Sequence, residues 1–204
     1  MNEMPRVVLA ALRRARAPIV WIGLTYLLSV SVGAGMVHAH NAFALRYRDD
    51  LVGSAQQGNV LRAMNRGLPV RAAMADFTGN LFLGAAPSTV MGLSVVMPFP
   101  WVAFRGWVGG IVSVDGEHKS RLRDGHERLY YLGVLLLQLI PYTLAGGAGV
   151  RLGMALLFPK GRWGYAGSVR WVGLPAEGAR DVGRIYLLVV PLFLVASLVE
   201  FLAR

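Results

Sequence analysis

The chain has 204 residues, of which 55% are hydrophobic and 16% charged, with a mean hydropathy of +0.49. A charged fraction below the roughly 25% of soluble domains excludes an ordinary water-soluble fold and reads as a small polytopic membrane protein, a single integral membrane domain over 1–204. The net charge of +10 comes mostly from Arg in loops beside apolar runs, which points to anionic lipid headgroups rather than nucleic acid, and the lack of cysteine removes disulfides, iron–sulfur ligation and thiol nucleophiles.

Residues 1–16 interleave Val7, Val8, Leu9 and Leu12 with Arg6, Arg13, Arg14 and Arg16. That pattern suits a basic helix lying in the headgroup layer, and equally suits plain topology-setting charge. The apolar run at 18–37, with Trp21 and Tyr26, is long enough to cross a bilayer and too long for the core of a cleavable signal, so it is expected to stay as an anchor. Residues 38–73 form a polar connector, with helical periodicity at Val60, Leu61, Met64 and Leu68, expected as short amphipathic helices outside the membrane. His38 and His40 have no further ligands at a metal spacing and read as structural.

A second embedded segment is expected at 75–97, with Asp76 and Asn80 at its start, a small face at Ser88 and Gly92, and a bend at Pro87. Phe99 and Pro100 read as a tight turn before a third segment, 101–114, which carries Arg105 and sets Gly106 and Gly110 on one face. Its shortness allows a tilted or re-entrant course. The loop at 115–128 reads as solvated, without a ligand or acid–base pattern in Glu117, His118, Asp124, His126 or Glu127.

The fourth segment, 129–157, is a long apolar run with Arg151 as its one charge, more than enough for the roughly 30 Å hydrocarbon core. Ala145, Gly149 and Gly153 recur at intervals of four and form a face on which another helix can approach closely. Pro141 reads either as a hinge or as a tolerated kink. The Gly-rich loop that follows places Trp163, Tyr165 and Trp171 at a headgroup belt, and the fifth segment, 185–203, contains Pro191 and Glu200. No glycine-rich nucleotide motif and no nucleophile elbow occurs, so no catalytic, cofactor-binding or metal-ligating residue is nominated.

If the five segments alternate, Asp76, Asn80, Gln138 and Glu200 fall in one half of the membrane and form a candidate intramembrane polar cluster, while Arg105 and Arg151 fall in the other. Ionisable groups at such depth face the bundle interior or water, so Glu200 is expected to lie close to Asn80 or Gln138 and away from Arg151. The cluster reads either as a polar vestibule or docking site, or as a hydrogen-bonded lock on helix register. Basic residues nearly balance across the two sides and favour an N-terminus inside.

Pro191, Ala196, Glu200 and Phe201 keep the spacing of the closing helix of the stage II sporulation protein M (SpoIIM-like) membrane family, and Ile140, Pro141, Ala145, Gly146, Gly149, Leu152 and Gly153 resemble its small-residue helix. The chain departs from that pattern at Leu139, where the family has a glutamate, and lacks the preceding His-Gly pair. The resemblance implies a five-helix integral membrane protein related to a subunit of a peptidoglycan-remodelling complex, without implying sporulation. Two functions are therefore expected to compete: a non-enzymatic scaffold or subunit of an inner-membrane complex, working with other membrane proteins or as a homo-oligomer, and a permease-like conduit.

Overall fold

The computed structural model describes residues 3–56, 58–171 and 173–202. The described residues are mainly helical, with an isolated antiparallel bridge between Val114 and Ser120 and a two-residue antiparallel ladder pairing Arg170–Trp171 (β1) with Leu174–Pro175 (β2), closed at Gly173 with φ +82°. Three helices are long and apolar enough to cross a membrane: α1 (Met4–His38), α7 (Gly125–Leu157) and α8 (Ala176–Leu202). Between them lie α2 (Ala42–Gln56), α3 (Asn59–Asn65), α4 (Pro69–Thr78), a π-helical stretch at Gly79–Ala85, α5 (Ala86–Met91) and α6 (Pro98–Ile111).

Each long helix carries an internal proline, Pro18, Pro141 or Pro191, and remains continuous. Pro18 and Pro141 are buried, so packed neighbours hold the helix where those rings remove a backbone bond, whereas Pro191 is exposed. The helix α1 starts on Pro5, whose missing N–H costs nothing in a first turn, and runs 35 residues, about 52 Å at 1.5 Å each. The basic residues expected to lie in the headgroup layer or to set topology continue into this helix: Ala11 and Ala15 are buried and Arg14 reaches Asp181, so the segment packs along the bundle.

The directions of the rods follow from their contacts. Gly106 and Gly110 of α6 rest on the backbone carbonyls of Tyr26 and Val30, and Gly33 rests on that of Trp107, so α1 and α6 run parallel. Gly147 meets Ile19 and Gly23 meets Thr143, which sets α7 antiparallel to α1. Gly149 abuts Thr89, and Gly153 abuts Gly92 and Leu93, so α5 runs with α7. Ala145 is fully buried at the same seam, where the Thr89 hydroxyl donates to its carbonyl at 3.0 Å. A side chain at Gly33, Gly106, Gly110, Gly147, Gly149 or Gly153 would overlap neighbouring backbone, and the glycines let the helices approach until dispersion contact holds them.

The segment expected to cross from residue 75 begins at Pro69 and stays helical through α4, the π stretch and α5. The connector around 38–73 is helical too, with α2 set by Ala44 in a small core of Val37, Ile111 and Val114. The turn before α6 lies at Val95, with φ +68°, rather than at Phe99 and Pro100, which are both inside α6. The start of α7 is fixed by Asp124, whose carboxylate accepts from the backbone N–H of His126 and Glu127.

Candidate functional site

The polar residues in the bundle form two groups on either side of Tyr142. On α4, the Asp76 carboxylate accepts from the Asn80 amide and from the Ser197 hydroxyl of α8, both at 2.8 Å. On α7, the Gln138 amide donates to the Glu200 carboxylate of α8 at 2.7 Å. The Tyr142 hydroxyl donates to the Asn80 side-chain oxygen at 2.6 Å and accepts from Arg105 at 2.6 Å. Glu200 therefore meets Gln138, while Asn80 is tied to Asp76 and Tyr142. Arg151 lies elsewhere, donating to the Trp163 carbonyl.

Local structure explains the positions. The π stretch widens the turn around Leu83, whose carbonyl accepts from Arg105 at 3.2 Å. Gly84 within it has no side chain, which makes room for the Tyr142 ring. That ring stands edge-on to fully buried Phe193, with centroids 4.8 Å apart. The Arg105 guanidinium lies 4.9 Å from the Tyr142 ring centroid and 5.5 Å from that of Trp101.

Arg105 thus joins the polar network, contrary to its expected place in the opposite half. The depth count took its segment to begin at a membrane face. In fact α6 is only 14 residues long, and Gly106 on the Tyr26 carbonyl holds Arg105 at mid-bundle. Tyr142 and Ser197 were missed from sequence, although Tyr142 follows Gln138 by one helical turn on the same face.

A cleft of about 400 Å³ opens between α6 and α7 in front of this network. Trp101, Phe104 and Tyr131 give it an aromatic wall, Arg105 and Arg121 supply positive charge, and Gln138 and Glu200 line the other side. Such a cleft has the volume and the few convergent polar groups of a small-molecule site.

At the other end of the bundle, Asp181 is 3% exposed and accepts from Arg14 in two bonds of 2.6 Å, from Tyr165 at 2.9 Å and from Arg184 at 2.9 Å. Burial pushes the Tyr165 hydroxyl up to about 12, so it remains a donor. The Arg151 guanidinium, 4% exposed, stacks 4.5 Å from the Tyr165 ring centroid. On α2, Asp49 bonds Arg48 at 2.8 Å and His118 at 3.0 Å, and these partners, Arg48 first, hold its pKa below the usual range.

No family model matches the chain, and neither a curated protein nor a solved structure does. The chain is a helical protein with three helices long and apolar enough to span a membrane.

Proposed function

We propose that this chain is a multi-pass protein of the bacterial inner membrane with five membrane-embedded segments, and that it serves as a non-enzymatic scaffold or subunit of an envelope complex. Three of the segments are α1, α7 and α8, the fourth is the rod from α4 through α5, and the fifth is α6. The observation that carries the reading is how the intramembrane polar groups are used. Asp76, Asn80, Ser197, Tyr142 and Arg105 bond to one another, and Gln138 bonds Glu200 beside them, which fixes the register of α4, α6, α7 and α8. Meanwhile α1 presents Val20, Trp21, Leu24, Leu28 and Val32 outward, an apolar face open to lipid or to a partner helix.

The SpoIIM-like resemblance remains part of this proposal and rests on the helix residues alone. Ala145, Gly149 and Gly153 serve helix packing in the structure, a role that many bundles share. A photo-crosslinking side chain at Leu28 in native membranes tests the scaffold. A discrete protein adduct, of this chain or another, supports it, and adducts with lipid alone, from every outward position on α1, count against it.

The cleft between α6 and α7 favours a second reading, a permease-like conduit. Substrate flux in proteoliposomes that Glu200→Gln abolishes would select it over the scaffold.

A further inference from the structure

The corner between α3 and α4 holds a second, smaller pocket of about 270 Å³, lined by Asn59, Arg62, Arg66, Leu68, Arg71 and their alanine neighbours. Three arginines line it and no carboxylate does. Among the described residues, Arg62, Arg66 and Arg71 have no carboxylate within ion-pair distance. The Arg62 guanidinium touches only a neutral oxygen, that of Asn59, at 3.2 Å. Three like charges converging on one hollow repel one another, and a bound anion turns that repulsion into attraction.

The shape of the group is set by the donors. Guanidinium forks match the oxygens of a phosphate, which accepts two bonds from each fork. The surroundings are apolar: Leu68, Val70 and Met74 are all exposed beside the pocket. Arg71 precedes Asp76 by five residues, about 7.5 Å along α4, so the pocket lies just outside the point where that rod reaches the buried polar network.

We propose that this pocket binds a phosphate-bearing group through Arg62, Arg66 and Arg71. Its placement at headgroup height rests on the membrane reading above, while the charge argument stands apart from it. An anionic phospholipid headgroup and a free phosphate ester share this chemistry, and the first also satisfies the exposed Leu68, Val70 and Met74.

The test uses the full chain in a neutral detergent and measures binding of pyrophosphate, of short-chain phosphatidylglycerol and of short-chain phosphatidylcholine. The chain binds phosphatidylglycerol or pyrophosphate, and Arg62→Gln with Arg71→Gln lowers that affinity about tenfold or more. Tight binding of phosphatidylglycerol with weak pyrophosphate identifies a lipid headgroup, and equal binding of the two identifies a free phosphate ligand. All three arginines are exposed, so the variants keep the wild-type helical circular dichroism and melting temperature. Arg46→Gln, an exposed arginine on α2 outside the pocket, leaves binding unchanged. Equal binding by wild type and the double variant, an equal loss in Arg46→Gln, or no preference for phosphatidylglycerol or pyrophosphate over phosphatidylcholine would overturn the proposal. If the site binds in detergent while the chain proves not to span membranes, the membrane reading fails and the phosphate site stands.

Discussion

Arg14 and Asp181 lie 167 positions apart and form a two-point ion pair, with both bonds at 2.6 Å. The pair ties the first long helix to the start of the last. Asp181→Asn is expected to lower stability by about 2–3 kcal/mol, since it weakens charge-assisted bonds at a buried site. Melting curves of wild type and variant in detergent check it.

Gly149→Leu is expected to destabilise the bundle by about 3 kcal/mol or more, because even a single methyl there meets the Thr89 backbone and overpacking is costly. Gly133 on the same helix has open space around it. Gly133→Ala should be neutral or stabilising by up to about 1 kcal/mol. Thermal unfolding of both variants separates close packing from a general effect of replacing glycine.

Tyr142→Phe removes a hydroxyl that both donates to Asn80 and accepts from Arg105. The loss should cost about 1–3 kcal/mol while the ring keeps its place against Phe193. An unchanged melting temperature would show that the bonds to Asn80 and from Arg105 contribute nothing to stability.

Gln138→Leu should be more damaging than Glu200→Gln. The first removes the amide that donates to the carboxylate, whereas the second leaves an oxygen able to accept from Gln138. Comparative unfolding of the two variants checks the order.

Much of this fold is legible in the sequence because apolar run length and small-residue spacing report directly on burial in a bilayer. The long runs around Gly23, Ala145 and Val189 lie in α1, α7 and α8, and the intervals of four in Gly106, Gly110, Ala145, Gly149 and Gly153 lie at helix contacts. Depth was less legible. Arg105 lies beside Tyr142 because α6 starts partway along the bundle after the left-handed turn at Val95, and no local pattern marks where a short helix begins relative to its neighbours. The cluster around Asp181 was invisible for a related reason: Arg14 and Arg184 look like ordinary flanking charge until the helices are placed together. The π stretch at Gly79–Ala85 has no sequence signature beyond its two glycines.

Labelling of single introduced cysteines tests the membrane account most directly, since the chain has none of its own. Leu24, Leu136 and Val195 are 43%, 51% and 47% exposed on the bundle, so only a surrounding bilayer would shield them. Cysteines at these positions in intact membranes should resist a water-soluble maleimide and react once the membrane is dissolved and the chain denatured. Cysteines at Gly116 and Gly161, in the loops before and after α7, should react from opposite faces. Reaction at Leu24, Leu136 and Val195 in intact membranes, or reaction at Gly116 and Gly161 from one face, would contradict it.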